Sequence, residues 1–312
     1  TGKNEAELMA HEYLSGKKRK QEIGRTVGEC IDEYISLKEN VLSPTTINVY
    51  RKYLKNYFGE LIDMPVSQIT QTDVQAHFNQ LSMQRSPKTV KNAHGLLASV
   101  LAVYVPELRL RTTLPKVQKK IKTLPDTETL LSVIIGSDIE LPCLLAMWCS
   151  LRMSELRGAK KSDIKDGILT VRNTLINVDG QHFEKRSTKT IESTRQISLP
   201  ARILDLIAVL PEEQEYLTTI KDHALYMRFS RLLERHGIEH ISFHDLRHMS
   251  ASIMLALGIP DKYAMERGGW STPNVMKSVY QHTFSKERQA ADEKIDSYFT
   301  RLYDTIYDTI AK

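Results

Sequence analysis

Two Ser-Pro dipeptides, Ser43-Pro44 and Ser86-Pro87, limit what the first hundred residues can become. A serine hydroxyl accepts an otherwise orphaned N–H at a helix start, and proline suits the first helical position, where no N–H is needed. Behind Ser43, Ile47, Tyr50, Leu54 and Tyr57 recur at helical spacing, Arg51, Lys52 and Lys55 occupy another face, and Gly59 marks a stop. Behind Ser86, Val90, Ala93, Leu97, Val100 and Tyr104 form a second apolar stripe, with Lys88 and Lys91 in the first turn. The segments "TVGECIDEYISLKEN" and "TQTDVQAHFNQLSM" predict two further helices. Residues 23–111 therefore read as a small all-α bundle. Cations in a first helical turn oppose the macrodipole, and an anion such as a phosphate would compensate them.

The charge is lopsided in the same sense. Through Lys122 there are 19 Lys and Arg against 12 Asp and Glu; the remainder carries 24 against 26. A basic module joined to a near-neutral one fits a polyanionic partner held mainly by the first, although a solvated Lys-rich surface would look the same. Residues 1–22 are polar and basic and read as a linker or the remnant of a further domain. Residues 112–122, in "RTTLPKVQKKIKTLP", read as an interdomain linker. A length of 312 residues suits two cores rather than one. Cys30, Cys143 and Cys149 have neither metal-site spacing nor an even count, which suits a reducing compartment. No apolar run is long enough for a membrane span or a signal sequence.

Residues 123–290 predict a second, mixed domain. A capping-box pattern from Thr123 to Asp126 opens it. An apolar helix, "LPCLLAMWCSLRMSELRGA", is then interrupted by Arg152. Alternation in "DGILTVRNTLINVDGQHFEKR" and "TRQISLP", with the Asp179-Gly180 turn, predicts a small antiparallel sheet, and helices follow. The fold class is thus mostly α, in two domains, with one small sheet.

Several cations in this domain stand where the local pattern wants apolar or neutral residues. Arg152 lies in a core-like segment, and Glu155, three residues on, can pair with it. Lys189 sits between two strands, where a solvated turn lysine is the plain explanation. His244 and Arg247 in "HDLRH" share a helical face, with His248 one turn from His244. They either decorate a helix start or await an anion. Trp270 follows the glycines of "ERGGW", and Tyr280 lies in "VMKSVYQHTF".

In order and spacing, "SLRMSEL", "STKT", "HDLRH", "GGW" and "SVYQHT" resemble the catalytic domain of the tyrosine recombinase (phage integrase) family, and the chain is most similar to integrases of conjugative transposons and temperate phages. One departure stands out: the arginine motif often reads Gly-x-Arg, and here it is Ser150-Leu151-Arg152. The resemblance implies a core-binding helical domain over 23–111 and a catalytic domain over 123–290. It implies catalytic roles for Arg152, Lys189, His244, Arg247, Trp270 and the nucleophile Tyr280, with Glu155 holding Arg152.

The residue types suit that chemistry. A phosphodiester is anionic, and its pentacoordinate transition state gains negative charge on the non-bridging oxygens. Two arginines can clamp those oxygens, with His and the indole N–H as further donors. Lys can protonate the leaving 5′-oxygen, and Tyr can form a 3′-phosphotyrosyl bond that stores the bond energy without ATP. No cofactor or metal is then needed. DNA contacts are expected from Ser43, Arg51, Lys52, Lys55, Ser86, Lys88, Lys91, Lys119, Lys120 and Lys122.

The resemblance further implies double-stranded DNA at element ends and target site as partner, and a homodimer progressing to a homotetramer. It leaves room for an excisionase or host DNA-bending protein. The expected location is the bacterial cytoplasm at the nucleoid. The tail 291–312 carries an apolar stripe, Ile295, Phe299, Leu302, Ile306 and Ile310, and is expected to dock on its own or a neighbouring subunit. Three rival readings stay open: a type IB topoisomerase-like strand transferase, a catalytically inactive DNA-binding protein, and a metal-dependent nuclease using His240, His244 and His248.

Overall fold

The computed structural model describes residues 24–117, 124–178, 180–186, 194–277, 293 and 296–301. The chain divides into two compact units, Thr1–Lys119 and Lys120–Lys312.

The first unit contains helices α1 (Val27–Leu37), α2 (Pro44–Asn56), α3 (Gln71–Gln84) and α4 (Pro87–Tyr104). Both Ser-Pro starts behave as expected. Ser43 Oγ accepts the Thr46 N–H at 3.2 Å and Ser86 Oγ accepts that of Thr89 at 3.3 Å. The other two helices open with capping boxes, Thr26 with Glu29 and Thr70 with Asp73. The apolar stripes face one another, with Ile31, Ile35, Phe58, Phe78, Leu97 and Val100 fully or almost fully buried. Each such side chain contributes about 1.5–3 kcal/mol of burial free energy. Helix α2 stops at Asn56, before Gly59. The buried Phe58 draws the chain into the core there, and Gly59 instead opens a 3-10 turn, Gly59–Asp63.

The second unit begins with α5 (Thr127–Ile134), α6 (Glu140–Met147) and α7 (Met153–Gly158). Asp126, rather than Thr123, caps α5, accepting the Thr129 N–H at 3.4 Å; Thr123 lies outside the described residues. Five strands follow: β1 (Ile164–Lys165), β2 (Ile168–Val171), β3 (Asn173–Val178), β4 (Gln181–Arg186) and β5 (Arg195–Ser198). They form two antiparallel sheets rather than one, β1-β2-β5 and the hairpin β3-β4. The hairpin closes Val178 on Gln181 across the predicted two-residue turn, and β2 pairs with β5 in the register Leu169↔Ile197. The chain leaves the first sheet at Arg172, whose Nε donates to the buried Asp163 carboxylate at 2.6 Å. The segment carrying Lys189 thus joins strands of different sheets, not the arms of one hairpin.

Helices α8 (Ala201–Ala208), α9 (Asp222–Arg235), α10 (Asp245–Ala256), α11 (Asp261–Gly268) and α12 (Pro273–Lys277) complete the described part. Leu130, Ile134, Leu145, Leu169, Ile197, Phe229, Leu246 and Met249 share its main core. Cys143 and Cys149 are buried free thiols there, and burial raises both pKa values, that of Cys149 to about 11. No helix among the described residues is long and apolar enough to cross a membrane.

The interruption before α7 falls at Ser150 and not at Arg152. Ser150 has φ +56°, a left-handed conformation that costs a residue with a Cβ about 1–2 kcal/mol. Its Oγ is buried with no hydrogen-bond partner among the described residues. Both burdens vanish with glycine. Ser150→Gly should therefore raise the melting temperature of this unit by about 2–4 °C, read by calorimetry. A lowered melting temperature would contradict this account of the break.

Candidate active site

The break at Ser150 turns the chain so that Arg152 sits at the N-cap position of α7. Glu155, in the first turn, accepts the Arg152 backbone N–H at 2.9 Å and its Nη1 at 2.6 Å. The predicted Arg152–Glu155 pair is present, but Glu155 is shared. Arg195, at the start of β5, donates Nη1 and Nη2 to the same carboxylate at 3.2 and 2.7 Å. Burial alone would raise the Glu155 pKa. The hydrogen bonds and charge of Arg195, and then the charge of Arg152, outweigh that and hold it at about 2.

Arg247 approaches from α10 and is only 2 % exposed. Its Nη1 donates to the Ser150 carbonyl, and its Nη2 to the Gly268 carbonyl at 2.5 Å. The guanidinium lies 4.5 Å from the centre of the Trp270 ring, a cation–π contact. Burial, and then the neighbouring Arg152 charge, lower the Arg247 pKa to about 9, which leaves it charged at neutral pH. His244 is the residue just before α10, and its surface is exposed. Enough protein surrounds the ring that desolvation, and then the positive charge of Arg247, lower its pKa and favour the neutral imidazole. His248 stacks edge-on against it at 4.7 Å.

One turn organises the whole group. At the C-terminus of α11, three successive carbonyls each take an arginine: Arg267 O from Arg195 Nε at 2.9 Å, Gly268 O from Arg247, and Gly269 O from Arg152 Nη2 at 2.6 Å. The last carbonyls of a helix have no partner within it and carry the negative end of its dipole, so cations are stabilised there. Three guanidiniums and one carboxylate leave the cluster strongly cationic. Arg152, with its side chain 41 % exposed, uses two of its five donors in these bonds, leaving others to face an incoming anion.

The glycines of this turn are needed for separate reasons. Gly269 has φ +65° and ends α11 in the left-handed conformation. Gly268 lies against the indole, and a Cβ there would fall 1.9 Å from Trp270 Cζ3. Neither the ring nor the helix backbone can yield that much, so Gly268→Ala should destabilise this unit by about 3 kcal/mol and lower its melting temperature by about 6–12 °C. A shift under about 2 °C would mean that the ring has another seat.

Of the sequence-predicted site residues, Arg152, Glu155, His244, Arg247 and Trp270 come together here. Lys189 and Tyr280 lie outside the described residues, as do Lys119, Lys120 and Lys122. In the first unit Lys52, Lys55, Lys88 and Lys91 are exposed, and Arg51 is tied to Glu39 at 2.8 Å. Arg195 was missed. Its signal was present: β5 alternates buried Arg195 and Ile197 with exposed Gln196 and Ser198, so a charged residue occupies an inward strand position. The three-histidine reading finds no support among the described residues, where no three His, Cys, Asp or Glu side chains are grouped to hold a metal. His240 instead meets Tyr226 Oη at 3.2 Å.

The sequence matches the phage integrase family over residues 127–287 and the phage integrase N-terminal SAM-like domain over residues 26–82. A tyrosine recombinase XerC-like protein of Caldanaerobacter subterraneus subsp. tengcongensis is 25% identical, across 95% of this chain and 90% of that one. The integrase of Mycobacterium phage FRAT1 is 24% identical across 84% and 86% of the two chains. Among solved structures, the fold is similar to the Tn1549 transposon integrase in complex with transposon right end DNA, with a TM-score of 0.67 and 17% identity across 86% of this chain and 99% of that one. It is also similar to a lambda integrase dimer bound to a core site, with a TM-score of 0.62 and 19% identity across 86% and 81%. The family match spans half the chain, including all three arginines and the turn that holds them, and the protein therefore belongs to the phage integrase family of tyrosine-type site-specific DNA recombinases.

Proposed function

We propose that this recombinase cleaves and rejoins DNA through a 3′-phosphotyrosyl intermediate, integrating or excising a mobile element without ATP or metal. The observation that carries the reading is the cationic cluster fixed to the 267–269 turn, with its arginines pre-aimed by backbone acceptors. Arg152 and Arg247 clamp the non-bridging oxygens of the scissile phosphate, and the Trp270 indole and His244 add donors. Held neutral, the His244 imidazole has one N–H to give and one lone pair that can take the phenolic proton. Tyr280 Oη attacks phosphorus as the bond to the 5′-oxygen breaks, and Lys189 protonates that oxygen. Glu155 keeps Arg152 in place. Rejoining is the reverse attack by a 5′-hydroxyl on the phosphotyrosine.

DNA is held largely through its backbone by exposed Lys52, Lys55, Lys88 and Lys91 beside Ser43 and Ser86, supplemented by Arg51 and by Lys119, Lys120 and Lys122. In this reading residues 23–111 form the core-binding domain, 112–122 the linker, 123–290 the catalytic domain and 291–312 a docking tail. Dimers on DNA progress to tetramers. The solved relatives support this assembly, since lambda integrase is seen as a dimer on a core site and as a tetramer on a Holliday junction.

The test is covalent trapping. The protein is incubated in EDTA with nicked duplexes carrying the element ends, and adducts are mapped by mass spectrometry. A 3′-phosphate ester on Tyr280 is the expected result. Binding without any adduct would sink the reading in favour of an inactive DNA-binding protein.

A further inference from the structure

We infer that Arg195 is a positioning residue for strand cleavage: it joins Glu155 to the end of α11 and so fixes the carboxylate that aims Arg152. Arg195 belongs to none of the motifs that mark the site, and its side chain is only 4 % exposed, with every guanidinium nitrogen already engaged inside the protein. Its fork spans both oxygens of Glu155, at 3.2 and 2.7 Å, while Nε reaches the Arg267 carbonyl at 2.9 Å. All three nitrogens are thus directed at the support of Arg152 and none outward. The anchor is rigid, because Arg195 pairs with Val171 in the register of β2 with β5.

The consequence for Arg152 follows from charge. Glu155 is buried, and three cations face it: Arg152 from the start of α7, Arg195 from β5 and Arg247 from α10. Among the described residues, the C-terminus of α11 meets these arginines through its carbonyls, while its own last-turn cation, Arg267, donates to the Trp148 carbonyl. Of the three cations facing Glu155, Arg195 is the one whose guanidinium fork alone grips both Glu155 oxygens. Without it, burial favours the protonated acid, and a neutral Glu155 grips Arg152 weakly. A guanidinium displaced by about 1 Å from the scissile phosphate costs up to ~100-fold in rate.

The inference rests on the proposed phosphotyrosyl chemistry, and the experiment separates the two. Single-turnover cleavage of a nicked duplex is measured from pH 5 to 9 for the unaltered protein, Arg195→Lys, Glu155→Gln and the double variant. DNA affinity and melting temperature are read in parallel. Lysine keeps the buried charge but cannot reach both Glu155 oxygens and the Arg267 carbonyl. Arg195→Gln is run alongside, so that one poorly folding variant does not decide the matter. The expected result is unchanged DNA affinity and cleavage slowed about 10–100-fold per folded molecule in Arg195→Lys. The deficit should widen toward pH 5, because Glu155, held at about 2 in the unaltered protein, protonates at a higher pH once the Arg195 fork is lost. The double variant should be no more than about threefold slower than the slower single one, since both act on Arg152 through one link. Arg195→Lys cleaving at the normal rate across the whole pH range, or losses that multiply, would overturn the inference. A lowered melting temperature with a normal rate would assign Arg195 a purely structural role and also overturn it. Absence of cleavage by the unaltered protein would sink the recombinase chemistry itself, and the inference with it.

Discussion

Tyr280→Phe should eliminate the covalent protein–DNA adduct, lowering strand cleavage by about 10⁴-fold or more, while DNA affinity stays within about twofold. The substitution removes one oxygen and leaves the ring. Every donor around the phosphate is retained, so binding through phosphate contacts has no reason to weaken. What disappears, in the proposed mechanism, is the atom that attacks phosphorus. A hydroxide from solvent is a poor replacement, because the cluster offers donors for an anionic transition state but, among the described residues, no grouping of acids and histidines to bind a metal and activate water. Denaturing gels on element-end duplexes read the outcome directly. An adduct that survives in Tyr280→Phe would move the nucleophile elsewhere, and the roles assigned to its neighbours would have to be redrawn.

Arg247→Lys should slow cleavage by about 10²–10³-fold at constant pH, the scale associated with removing one preorganised donor from a developing oxyanion. The guanidinium donates to Ser150 O and Gly268 O and rests on the Trp270 ring, and in the proposed mechanism it also meets the phosphate. An ammonium group has no fork and no flat face, so it can satisfy the carbonyls or the phosphate but not both. The charge is conserved, and overall DNA affinity should therefore change far less than the rate. Equal loss of affinity and of rate would mean that Arg247 binds ground state and transition state alike.

How much of this was legible in the sequence varies with the range of the interaction that decides it. The first unit was nearly all local. Ser43 and Ser86 cap helices whose stripes bury Ile47, Val90, Leu97 and Val100, and spacing alone implied as much. In the second unit the arginine motif and "HDLRH" were recognisable, and so was the Arg152–Glu155 pair three residues apart. The α5 cap was misplaced by one pattern: Thr123-to-Asp126 resembled a capping box, yet the side chain of Asp126 itself closes the helix. The division into two sheets was not legible, because alternation names strands but not partners, and the chain changes sheet at Arg172 beside Asp163. The inward strand position of Arg195 was readable from the alternation of β5, but its partners were not, since they lie 40 and 72 residues away and no window on the sequence contains them.

The turn at residues 267–269 has one more implication. Its acceptors are main-chain oxygens, so no side chain of α11 specifies where the three guanidiniums point. Exchanging any one of its outward residues leaves every acceptor in being, whereas tilting the helix end moves all three cations as a set. The reactive arrangement therefore has a shared coordinate, the placement of one helix end, on top of the separate anchors that Glu155 and the Ser150 carbonyl give the individual arginines. Transplanting the arginines onto another scaffold without this backbone loop would carry over the charges and lose their alignment.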